Sequence, residues 1–202
     1  MAIIIQTRAE RPTRRKLPAG RVLIFLLVSA VCCVAGLIRG VAAETSVTRE
    51  YQLKVAFLYN FTKFVEWPAN SSDGTAEPIV LGIAGKGPHA AELEEVVRNR
   101  TVNGRKLVVK TVETPEAAKG VHVLFLPASE DARLAEWLGA VRGACTLTVG
   151  ESGAFAQSGG MINFVLEGDK VRFEVNEDAA EQAGLKVSSQ LLKLAKTVRK
   201  QK

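Results

Sequence analysis

The chain has 202 residues, enough for one ordinary domain and too few for two. Its net charge of +6 belongs to the N-terminus: seven of the 27 Lys and Arg residues but one of the 21 acids fall in residues 1–43, leaving 20 of each sign for residues 44–202. A neutral body lacks the basic stripe of a nucleic-acid binder, and no later apolar run reaches the ~18 residues of a membrane span.

Residues 8 to 16 are basic, and Val22 to Ile38 follow as 17 apolar or small residues without charge. Val41-Ala42-Ala43 then offers small side chains at the −3 and −1 positions of a signal-peptidase site. The pattern predicts a signal peptide at 1–43, cleaved after Ala43, and a single exported domain at 44–202. An uncleaved anchor is the alternative, and either form places residues 44 onward outside the cytoplasm, because the bases stay inside. Of three cysteines, Cys32 and Cys33 leave with the leader. Cys145 alone remains, so no internal disulfide can form, and it is expected as a small buried hydrophobe on a strand.

From Val47 to Trp67 the spacing predicts a helix stopped by Pro68. Its apolar arc spans about 200°, wider than the roughly 100° stripe that packing on one sheet face needs. Phe57, Phe61, Phe64 and Trp67 therefore form a candidate partner-binding face rimmed by Asn60 and Lys63, with burial under a C-terminal helix as the alternative. Lys54 falls inside the arc, where it must pair, snorkel or bind something; Glu50, one turn earlier, supplies a favourable i,i+4 pair.

After a polar loop at 69–78, strands are expected at Ile79–Ala84, Lys106–Val112, Val121–Leu126 and Ala144–Val149. Helices are expected at His89–Arg98, Glu130–Val141 and, in fragments, after Glu177. This alternation reads as an α/β fold: one domain, a mixed and mostly parallel sheet flanked by helices. Gly168-Asp169 predicts a two-residue turn closing a β-hairpin near the C-terminus. Its register would pair Ile162/Val175, Phe164/Phe173 and Leu166/Val171 on the core face, with Val165/Arg172 and Asn163/Glu174 opposite. The last helix is expected to carry Leu191, Leu194, Ala195 and Val198 on one face and Lys193, Lys196 and Lys200 on another.

Gly85-Lys86-Gly87-Pro88-His89-Ala90 fits G-x-G-x-x-A between a strand and a helix, and Glu113 ends the next strand. Against a dinucleotide, Glu113 lies 28 residues past Gly85 rather than about 20, and Pro88 removes an amide from the phosphate cradle. Gly85, Lys86 and Gly87 remain a candidate turn for a small anion or ligand at a helix N-terminus. The two histidines, His89 and His122, have no metal-ligand spacing, and His122 sits inside an apolar strand. Gly150-Glu151-Ser152-Gly153-Ala154 lacks the second glycine of a nucleophile elbow. No catalytic, cofactor or metal constellation is legible.

The segment from Tyr51 to Pro68 resembles the YfiR family of bacterial periplasmic proteins. Leu147-Thr148-Val149, Gly159-Gly160-Met161-Ile162-Asn163-Phe164, Val171-Arg172-Phe173-Glu174-Val175-Asn176 and the run Ala183 to Ala195 extend the resemblance over residues 48 to 198. It implies a small α/β domain, often dimeric, without catalysis, that restrains an inner-membrane diguanylate cyclase by binding its periplasmic part. Histidine kinases are the other implied partners. Release by an outer-membrane lipoprotein would raise cyclic di-GMP and favour biofilm. Related members carry paired cysteines; here Val121 precedes His122 where a cysteine is frequent, and Cys145 has no mate. His89-Ala90 also replaces the usual Phe-Gly after the proline of the first turn.

Overall fold

The computed structural model describes residues 49–68, 77–87 and 89–200, which belong to one compact unit. The expected leader at 1–43, its cleavage after Ala43, and the loop at 69–76 lie outside these residues. In chain order the elements are helix α1 (49–64), strands β1 Val65–Glu66 and β2 Ile79–Ala84, and helix α2 His89–Val97. Then come β3 Thr101–Val102, β4 Arg105–Val112, β5 Val123–Leu126, α3 Leu134–Ala140 and β6 Leu147–Gly150. The chain closes with β7 Ile162–Glu167, β8 Lys170–Asn176, α4 Glu177–Gln182, β9 Lys186–Val187, α5 Ser189–Leu194 and β10 Thr197–Arg199.

Among the described residues, eight strands form one sheet in the order β10-β8-β7-β6-β5-β2-β4-β3. The central run from β4 to β7 is parallel, while β3/β4 and β7/β8 are antiparallel hairpins. The fold is therefore α/β, a mixed and mostly parallel sheet flanked by helices, with a hairpin towards the C-terminus. The period of two sorts the side chains into two cores. Val123 and Phe125 of β5 face α1, α2, α4 and α5, whereas Leu124 and Leu126 face α3 and Trp137. From β2 the chain crosses to β4 on one side, then returns past β2 to β5 on the other, which puts a topological switch point between β2 and β5.

The hairpin register is Glu167↔Lys170 through Ile162↔Val175, as the Gly-Asp turn predicts. Two side chains depart from the expected faces. Leu166, at the tip, is 57% exposed, because the sheet's cover does not reach that far; Asn163 is buried, because β7 is an interior strand with both faces covered. The expected strand at Ala144–Val149 starts only at Leu147, so Cys145 lies in the preceding turn, half-buried and in the reduced form.

At both ends of the described domain, pairing with distant chain overrides the local pattern. Helix α1 stops at Phe64, three residues before Trp67, because Val65 pairs with Val187 and Ser188 donates its N–H to the Phe64 carbonyl. Helix α5, capped by Ser188, ends at Leu194; Lys196 N–H then bonds Phe173 O, and Val198 lies on edge strand β10 beside β8. The expected basic helix face therefore does not form. Lys196 pairs with Glu167 at 3.3 Å, and Lys200 with Glu177 and Glu181 at 3.2 and 3.1 Å.

Candidate functional site

Helix α1 lies over the sheet with Val55, Leu58, Phe61 and Thr62 buried beneath it. Phe61 is 0% exposed, its ring 5.7 Å from Phe164 and 5.2 Å from Phe173, so it belongs to the core and presents nothing to a second surface. Phe57 stacks on Phe61 at 6.0 Å, and Phe57, Phe64 and Trp67 are partly buried against the same core. Leu53, Phe57, Asn60 and Phe64 follow at i, i+4, i+7 and i+11 along one half-exposed flank. Lys63 is exposed next to it, its ammonium 4.2 Å from the Tyr59 ring centroid and 3.5 Å from Asn60 Oδ1.

At the end of β2, Gly85 has φ +73°, and its N–H bonds the Val112 carbonyl. A Cβ there would lie 2.4 Å from Glu130 Oε1, so that carboxylate fills the crevice at the switch point. Glu130 is held by Trp137 Nε1 at 2.9 Å and faces Arg133 at 3.5 Å. An anion approaching Gly85, Lys86 and Gly87 would meet this negative charge. Lys86 and Glu113 reach each other at 3.8 Å on the surface, a pair of little energetic weight.

His122 is a structural residue. Val80 N–H points at its Nδ1 from 3.2 Å, Arg105 Nη2 lies 2.9 Å from its Nε2, and Trp67 stands edge-on at 6.2 Å. Burial, then the Arg105 charge, push its pKa below the ordinary 6.5, and Glu77 offsets only part of this. The folded state thus takes up a proton less readily than the unfolded chain. Stability from this site is full above the ordinary value and falls as pH drops through it. Melting temperature should decline on acidification below about pH 6.5, and less steeply in His122→Asn. Identical pH profiles for the two proteins would assign the decline to other groups.

Lys54 forms the most enclosed charge centre on α1. Its side chain is 9% exposed, and the ammonium bridges Glu50, the expected partner, and Glu151 at 2.6 Å, which follows β6 and lies 97 positions away. Glu151 also accepts the Ala128 N–H at 2.8 Å, tying the end of β5 to α1. Burial acts to lower the Lys54 pKa, but the hydrogen bonds and charges of Glu151 and Glu50 outweigh it and hold it above the ordinary lysine value. No local spacing could have paired Lys54 with Glu151. Among the described residues, no group of three or more His, Cys, Asp or Glu could hold a metal ion, and no helix is long and apolar enough to cross a membrane.

The aromatic helix, the Gly-Gly approach to β7 and the closing hairpin all lie within the reach of one family model, described as YfiR/HmsC-like, which matches residues 51–196. The chain belongs to the YfiR/HmsC-like family. That family is one of periplasmic regulators, with cyclic di-GMP signalling as its theme. Among solved structures, a conserved domain protein from Vibrio cholerae O1 biovar El Tor strain N16961 is similar at 14% identity and a TM-score of 0.51, over 74% of this chain. This YfiR/HmsC-like chain spans 60% of that protein's length, and the likeness is one of fold. An ABC domain from Streptococcus pneumonia, solved in complex with L-Trp, is similar at 12% identity and a TM-score of 0.44, over 59% of this chain and 55% of its own.

Proposed function

We propose that residues 44–202 act in the periplasm as a non-catalytic regulator. The domain binds and restrains the periplasmic part of an inner-membrane signalling protein, a diguanylate cyclase before a histidine kinase, and so holds down cyclic di-GMP and biofilm formation. The observation that carries this reading is the YfiR/HmsC-like match over residues 51–196; a fold by itself names no activity. The basic stretch at 8–16 followed by the uncharged run Val22 to Ile38 supports export. An outer-membrane lipoprotein is the natural releasing partner, and a second copy of the chain is the other candidate for the same surface.

The flank of α1 suits such a contact. Phe57 and Phe64 are partly buried and Asn60 and Lys63 lie beside them, an apolar strip with a polar rim, while Trp67 lies past the end of the helix, edge-on to His122. Removing the protein from its host should raise cyclic di-GMP, and restoring it to the periplasm should lower it again. Lys63→Glu, at an exposed position, should lower the melting temperature by no more than a few degrees, the loss of its contact with the Tyr59 ring, and fail to restore. Cyclic di-GMP that does not respond to removal would overturn the regulator reading; full restoration by Lys63→Glu would move the contact off this flank.

A further inference from the structure

Strand β3 pairs with β4 only at Arg105 and Lys106, and past them no described strand lies on that side of β4. The bonds on the other side fix where the remaining main-chain groups point. Gly85 N–H bonds the Val112 carbonyl, so Val112 turns its main chain towards β2. Alternation along the strand turns Lys110 and Val108 the same way and leaves Leu107, Val109 and Thr111 with N–H and C=O facing outward. Among the described residues these outward groups have no hydrogen-bond partner. Such a row is a template for another strand.

The side chains select what can pair there. Val112 belongs to the Trp137 core, and Val80 packs against it. The period of two puts Lys106, Val108 and Lys110 on that same face, with Val108 level with Val80. Val108 is 44% exposed, and Lys106 and Lys110 are exposed without an ion-pair partner among the described residues. A second copy laid antiparallel across its own β4, centred on Val109, would set the two Lys110 side chains diagonal to each other, and like charges oppose that pairing. An extended segment with acidic side chains level with Lys106 and Lys110, and an apolar one level with Val108, matches all three positions. We propose that the free edge of β4 binds such a segment of another protein, an acidic peptide added to the sheet as a further strand. This edge lies away from the α1 flank, which sits over β7 and β8, and either reading can fail alone.

The probe is the peptide acetyl-Thr-Glu-Thr-Val-Thr-Glu-Thr-amide, whose Glu and Val side chains share one face of a strand. Titrated into the purified protein, it should slow the exchange of the Leu107, Val109 and Thr111 amide protons with water, read by NMR, and leave those of Val108 and Lys110 as they were. A version with Lys for Glu and a version N-methylated throughout should do neither. The double variant Lys106→Glu with Lys110→Glu, checked for folding by circular dichroism, should bind the Glu peptide roughly tenfold more weakly and accept the Lys peptide instead. Unchanged exchange at millimolar Glu peptide, equal binding of the N-methylated peptide, or equal binding of the Glu and Lys peptides would overturn the proposal. So would protection of the same amides that grows with protein concentration alone, which would give the edge to a second copy.

Discussion

Gly160→Ala is expected to cost the domain about 3 kcal/mol or more, at the upper end of what overpacking does to a core. A Cβ on Gly160 would come 2.1 Å from Phe155 Cε1, and one on Gly150 would come 2.3 Å from Phe155 Cδ2. The two glycines thus clamp a ring that is 1% exposed, and Gly160 is there for space, since its φ is not in the left-handed region. Phe155 in turn anchors the 151–161 connection, which joins parallel strands β6 and β7 without an α-helix. Urea denaturation measures the loss. Adding Phe155→Leu should give back part of it, so that the double variant is more stable than the sum of the singles by about 1–3 kcal/mol. A Gly160→Ala protein within about 0.5 kcal/mol of the parent would mean that the loop moves aside freely.

Lys54→Met should be the most pH-sensitive substitution. It keeps the length of the side chain but leaves Glu50 and Glu151 facing each other without the cation between them. Breaking a fully buried pair costs about 3–5 kcal/mol; Glu50 retains 28% exposure, so about 2–4 kcal/mol is expected at neutral pH. The two carboxylates then repel each other, and the variant's deficit should narrow as acid neutralises the negative charge at the site. Unfolding curves of parent and variant at several pH values check this, and a deficit independent of pH would show that packing rather than charge is lost.

Where the determinants are local, the sequence announces them. The parallel strands follow from short β-branched runs between turn residues, and the β7/β8 register from a two-residue turn with glycine first. Asn103-Gly104 is an equally direct signal for the β3/β4 hairpin, with φ of 51° and 80°. What local pattern cannot reach is pairing with distant chain. Val65 and Glu66 continue the helical spacing of α1 and leave it only because Val187 and Lys186 are waiting. Glu151 looked like a failed catalytic motif, and its role comes from a lysine 97 residues earlier. The breadth of the α1 arc was legible, but its meaning was not: Phe61 serves a sheet whose own aromatic residues, Phe164 and Phe173, arrive roughly a hundred residues later.

That separation sets a timetable for synthesis. Among the described elements helix α1 is made first, yet the strands that cover its rings and the β9 segment that clasps its end are among the last to emerge. At ~5–20 residues per second the aromatic face stays uncovered for several seconds or more, a window in which a holding chaperone or a neighbouring nascent chain competes for it. Shortening the chain before Val187 removes the clasp altogether, so C-terminal truncations are expected to aggregate through the first helix of the described domain.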